Sequence, residues 1–238
     1  ELIVETIFEP NLSKPSMKPF FIDENYFEYE YDQLLKELDI FDFSKFNDLI
    51  NGLDRLGSNI VSTINSIHDT CEYFCNSFVN LKYSINLIET VNEEERNYYW
   101  VFYFHNITLH FLHTLNDLLY SLAQEYTSHY EVKKDIGFKR NLVENLIASN
   151  NDTHRQIGNI LNKDVPIRTM RYRDEYTHNI MPYRPNSNPT VENGITMFRG
   201  YSTMITSLNS LVDDIESDLK KLKKRAKNIK QVVGLTND

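Results

Sequence analysis

The sequence predicts an all-α fold, a single helical bundle built on one long antiparallel helix pair. Three observations carry this. Ile60, Ile64, Ile67, Cys71, Phe74, Phe78, Leu81, Ile85 and Ile88 recur at strictly alternating steps of four and three, a heptad seam that calls for a long helix packed lengthwise on another. A second long stretch, to about Tyr126, carries its own helical stripe. No segment shows the period of two that a half-buried strand needs. At 238 residues the chain is long enough for one large domain with its own core.

Residues 1–25 hold Pro10, Pro15 and Pro19 with little periodicity, and read as an arm draped on a single domain spanning 26–238. Tyr26 to Asp39 reads as a short acidic, aromatic helix. Ser44 is an N-cap candidate leading to Phe46, Leu49, Ile50 and Leu53, with Gly52 and Gly57 as possible breaks. The seam helix follows. Asn92 with Glu93, Glu94 and Glu95 suits the start of the next helix, because acids favour the positive end of the helix dipole. That helix should bury Phe104, Ile107, Phe111, Leu115, Leu118 and Leu122. Shorter helices are expected over Phe138–Ser149 and Asp152–Asn162. A further one should begin near Asp164, with Pro166 tolerated in its first turn, and end by Met181 because Pro182 follows. Residues 182–195, with three prolines among asparagines, read as a loop. A last helix is expected from about Thr196 to Val232, carrying Phe198, Ile205, Leu208, Leu211, Ile215, Leu219 and Leu222.

The chain carries 34 acids against 25 bases, a net charge of −9, which disfavours binding nucleic acid over the whole surface. The distribution is uneven. From Arg155 to Arg184, six bases (Arg155, Lys163, Arg168, Arg171, Arg173, Arg184) face three acids (Asp164, Asp174, Glu175), a local balance of +3. The later run from Lys220 to Lys230 has no acid within it and reads as the solvated cationic end of a helix. Cys71 and Cys75, four apart on one helix, read as buried reduced thiols in a cytoplasmic protein. The chain opens at Glu1 with no signal-peptide pattern. No apolar run approaches the roughly 20 residues of a membrane span. His105, His110 and His113 do not share one stripe with an acid, so no metal site is read there. No glycine-rich phosphate loop, G-x-S-x-G or spaced carboxylate pair appears.

The chemistry concentrates in Arg173-Asp174-Glu175-Tyr176-Thr177-His178. Arginine can hold a phosphate bidentately, and histidine moves a proton near neutral pH. A base for a ribose 2′-OH and a cation for the phosphorane suffice for RNA cleavage without a metal or other cofactor. On a helix, Val165, Thr169, Tyr172, Tyr176 and Ile180 should face the core, and Met170, Asp174, Thr177 and Met181 a second, mixed face. Arg173 and His178 then lie about 140° apart. Two antiparallel copies packed through Met170 and Thr177 would bring Arg173 of one chain beside His178 of the other. Asp174 either orients Arg173 or pairs as an ordinary salt-bridge partner. Arg168 and Arg171 could hold flanking phosphates or pair with Glu175. For Tyr172 and Tyr176, core packing is preferred to base stacking.

This string, with the polar residue Asp174 directly after the arginine, resembles the Arg-polar-x3-His signature of the HEPN superfamily of helical ribonucleases and nucleotide-binding domains. The wider Arg171–Asn179 string is similar to a bacterial branch of it. The resemblance covers roughly residues 20–230 as architecture, but its specific part is these nine residues. It implies an HEPN-like fold and a homodimer whose cleft is shared by two protomers. It also implies metal-independent endoribonuclease activity, with Arg173 and His178 catalytic, Asp174 supporting, and Arg168, Arg171 and Arg184 on the RNA. A toxin or phage-defence setting with an antitoxin or regulatory partner would fit. Non-catalytic members imply the other reading, a helical module binding a nucleotide, RNA or a protein.

Overall fold

All nine seam residues are buried, and they line one face of a single helix, α2 (Asp54–Thr90). The structure, a computed structural model, describes residues 22–46, 54–91, 98–163, 165–166, 168–170, 172, 190–192, 195–197 and 207–235. Gly57, a possible break by its residue type, lies inside α2, which runs on through it. Seven residues later α3 (Tyr98–Thr127) returns along α2, and the two pack over their length as an antiparallel pair. Tyr73 stacks on Phe111 at 5.4 Å near the middle of that pair.

The core face of α3 differs from expectation. Leu115 and Leu122 are buried as predicted, but Phe104, Ile107, Phe111 and Leu118 are only half-buried. The buried arc instead runs through Val101, His105, Thr108, Leu109, Leu112, Asn116 and Leu119. Apolar residues alone pointed to the wrong side of the helix. The true inward face carries polar groups: Thr108 donates to the Phe104 carbonyl of its own helix, and Asn116 accepts from the distant Arg225.

Before the pair, α1 (Glu24–Leu38) starts two residues earlier than Tyr26, because Asp23 caps it by accepting from the Tyr26 N–H at 2.9 Å. A 3-10 turn, Asp39–Phe41, follows, and buried Phe43 and Phe46 close onto Tyr126 at the end of α3. The remainder of the helix expected from Ser44, residues 47–53, lies outside the described residues, as does the Asn92–Glu95 start of the α3 stretch.

Two short helices, α4 (Phe138–Ala148) and α5 (Asp152–Asn162), stand close to where the sequence placed them. They meet at Gly158, where a Cβ would sit 2.9 Å from Leu146 Cβ and 3.0 Å from the Ile147 backbone nitrogen. Only glycine allows that approach.

The segment before the last helix differs from expectation. Thr190–Glu192 (β1) pairs antiparallel with Ile195–Met197 (β2), in register Thr190 with Met197 and Glu192 with Ile195. The last helix, α6 (Asn209–Val232), therefore begins well after Thr196, and its Leu208, Leu211, Ile215, Leu219 and Leu222 are buried. The fold is all-α, with six helices and this one small hairpin among the described residues. Helix α6 packs against α5, α3, α2 and the 3-10 turn. No described helix is long and apolar enough to cross a membrane. Cys71 and Cys75 are buried and free, their thiols pushed up to about 12, first by burial.

Candidate functional site

The R-x4-H string is preceded by a segment that the rest of the protein grips through polar side chains. Val165 and Pro166 are not helical and Arg168–Thr169 form a turn. Helix is present at Met170 and Tyr172, so it starts later than Asp164. Proline at 166 gives a reason, since it disfavours helical backbone in the residue before it.

Asp214 and Asp218, one turn apart on α6, share the face turned to this segment. Asp218 is fully buried. Its Oδ2 accepts from the Thr169 N–H at 2.8 Å and from the Thr169 hydroxyl at 3.0 Å, and its Oδ1 accepts from Lys221 at 2.6 Å. Because the threonine proton goes to Asp218, Thr169 Oγ1 is the acceptor for His113 Nε2 at 3.2 Å. Lys221 also donates to the Val165 carbonyl at 3.4 Å. Asp214 accepts from the Tyr172 hydroxyl at 2.6 Å and from Arg168 at 3.3 Å. Tyr172 is fully buried, as its place on the predicted core face requires, with His105 edge-on to its ring at 5.3 Å. Burial drives the His105 imidazole down to about 3, against a smaller opposing pull from Asp214, so the ring is neutral at physiological pH.

Two turns beyond Asp218 on α6, Arg225 fixes the exit from α5. Only 1% exposed, it donates to the carbonyls of Leu161 (2.6 Å) and Lys163 (2.8 and 2.6 Å) and to Asn116 Oδ1 (2.7 Å). Its guanidinium lies 5.6 Å from the Tyr120 ring, whose hydroxyl donates to the same Leu161 carbonyl at 3.0 Å. Carbonyls at a helix C-terminus have no partner within the helix, and a buried cation there satisfies them and complements the dipole. The run from Lys220 to Lys230 is therefore not simply a solvated end. Lys221 and Arg225 turn inward, and Lys223 reaches Glu37 of α1 at 2.9 Å.

Of the predicted site residues, Arg168 is described. Its side chain is 58% exposed and pairs with Asp214; Glu175 lies outside the described residues. Met170 is 44% exposed, as expected of a residue outside the core face. Arg171, Arg173, Asp174, His178 and Arg184 lie outside the described residues. Sequence reasoning missed Asp214, Asp218, His113 and Arg225. The signal for the first two was present as an i, i+4 acidic pair on the apolar side of the last helix. Among the described residues no three His, Cys, Asp or Glu side chains gather as a metal site. No protein-family model, curated protein or solved structure matches this chain.

Proposed function

We propose that the protein is a metal-independent endoribonuclease of HEPN type, acting at a cleft shared by two copies of the chain. His178 takes the proton of a ribose 2′-OH, and the 2′ oxygen attacks the adjacent phosphorus. Arg173 bears the charge of the pentavalent phosphorane, and the 5′ oxygen leaves with a proton. The products end in a 2′,3′-cyclic phosphate and a 5′-OH. The observation that most supports the reading is the buried grip on Thr169 and Tyr172. A protein that commits Asp218, Asp214 and His113 to hold the residues directly before Arg173 invests its polar core in locating that string. Catalysis by positioned groups needs such rigid support.

The test is a labelled RNA incubated with the protein in EDTA. Cleavage to cyclic-phosphate ends should persist in the chelator and vanish in His178→Ala and Arg173→Ala. Activity that dies with EDTA, or survives His178→Ala, would sink the mechanism. The dimer is tested at Met170, whose exposed side chain offers apolar surface beside the string. Met170→Glu should sediment as a monomer and lose cleavage with its helicity intact. A wild-type chain that stays monomeric at tens of micromolar contradicts the shared cleft.

The non-catalytic reading, a module that binds a nucleotide, RNA or a protein partner, draws on the neutralisation of Arg168 by Asp214 and on the −9 net charge. Binding of RNA without cleavage, unchanged in His178→Ala, would favour it.

A further inference from the structure

On the far side of the bundle's short helices two histidines meet. Helix α3 ends at Thr127, and Ser128, with φ of 56°, turns the chain. Gln124 then fixes the turn, donating from Nε2 to the carbonyls of His129 (3.0 Å) and Val132 (2.6 Å). The His129 ring lies over the start of α5, where Asn151 caps the helix by accepting from the His154 N–H at 3.2 Å. The two imidazoles sit with centroids 5.2 Å apart and planes at 70°.

We propose that His129 and His154 form a two-imidazole site for a late first-row transition metal ion, of which Zn²⁺ is the representative probe. His129 Nδ1 faces the Thr127 carbonyl at 3.0 Å, and a carbonyl only accepts, so Nδ1 carries the proton and Nε2 keeps its lone pair. A metal-binding histidine is held in just this way, its other nitrogen donating to a carbonyl or similar acceptor. His154 Nδ1 has the Ser149 hydroxyl as its neighbour at 3.4 Å.

Two imidazoles bound through Nε2 to one tetrahedral ion, at metal–nitrogen lengths of roughly 2.0–2.1 Å, have ring centres about 5 Å apart. The observed spacing matches that arrangement.

The surrounding charges limit the strength. Asp152 and Arg155 on the same turn of α5 pair with each other, and Arg155 also donates to the Ser149 carbonyl at 3.4 Å. No third His, Cys, Asp or Glu joins the two rings among the described residues. Water completes the coordination. Imidazole donors select Zn²⁺, Ni²⁺ and Cu²⁺ over the oxygen-seeking Mg²⁺ and Ca²⁺. An ion held there staples the end of α3 to the start of α5 across the α4 turn. The site takes no part in the proposed RNA cleavage.

The experiment is calorimetric titration of the full-length, tag-free chain with ZnCl₂, with MgCl₂ as the control. One Zn²⁺ should bind per chain with micromolar affinity and raise the thermal midpoint, while Mg²⁺ does neither. His129→Gln and His154→Gln should each weaken binding about ten-fold or more, and His110→Gln, exposed on α3, should leave it unchanged. In the unmutated protein, Zn²⁺ should shift the imidazole NMR signals of His129 and His154 before those of other histidines, which keeps the test decisive if a variant misfolds. Binding no tighter than millimolar, or undiminished in both variants, overturns the site.

Discussion

The contact between α2 and α3 and the contact of α6 with Leu161, Lys163, Thr169 and Tyr172 are both buried, yet they are made of different matter. The first is Ile, Leu and Phe at heptad spacing, where any side chain of similar volume fills the same hole. The second is Asp218 against Thr169 and Lys221, Asp214 against Tyr172, and Arg225 against three carbonyl or amide oxygens. Polar groups taken from water gain little net energy when paired and lose much when unpaired. The seam therefore holds the bundle together broadly. The polar contact admits one arrangement of the segment it holds.

The comparison is sharpest under isosteric change. Asp218→Asn keeps the size of the side chain but leaves Lys221 without its carboxylate and turns an amide donor toward one of its donors. A loss of about 3 kcal/mol is expected in urea denaturation. If the loss is within error, the polar contact is as forgiving as the seam and the distinction fails.

The next largest effect is a pH dependence from His105. Its folded-state affinity for protons is far below the unfolded value, about 3 against 6.5. The unfolded chain therefore takes up a proton that the folded one refuses. This contribution is fully present above about pH 6.5 and is lost as the pH falls toward 3. Between pH 6.5 and 5 it removes about 2 kcal/mol. His105→Gln should lack that slope in the same pH series, and an unchanged slope would assign the acid sensitivity to other groups.

Gly158→Ala probes a third kind of contact, backbone against side chain. The helix propensity of alanine favours the change by about 1 kcal/mol, but the Cβ meets unyielding atoms of Leu146 and Ile147. A net loss of about 1.5 kcal/mol is expected from the shift in denaturation midpoint at constant m-value. The smallest effect belongs to the seam itself. Leu81→Met, fully buried and of similar volume, should lower stability by about 1 kcal/mol or less.

The same distinction explains what could be read in advance. Periodicity is a property of apolar packing, so α2 and its nine seam residues were legible, and so were α4 and α5 from their polar boundaries. On α3 the reading followed Phe104, Ile107 and Phe111 to a half-exposed side, because His105, Thr108 and Asn116 do not announce themselves as core. Two polar groups of the buried side take partners more than fifty residues away, Thr169 for His113 and Arg225 for Asn116. The hairpin had a local sign that went unused: Asn193-Gly194 between Glu192 and Ile195 is the residue pair that two-residue hairpin loops favour. Arg225 was indistinguishable from its lysine neighbours by composition, although its position four before Ile229 and three after Leu222 puts it on the apolar side of α6. For the candidate site, sequence supplied the Arg173–His178 string itself, and the structure supplied the anchors ahead of it.

Those anchors have a consequence in time. Thr169 is tied to a residue 49 positions downstream, Tyr172 to one 42 downstream, and the exit of α5 to Arg225, 64 beyond Leu161. During synthesis the ribosome delivers the R-x4-H string well before α6. For that interval the segment lacks every α6 partner that fixes it. The nascent chain emerges with Thr169 and Tyr172 unanchored, and only the completed α6 ties them down.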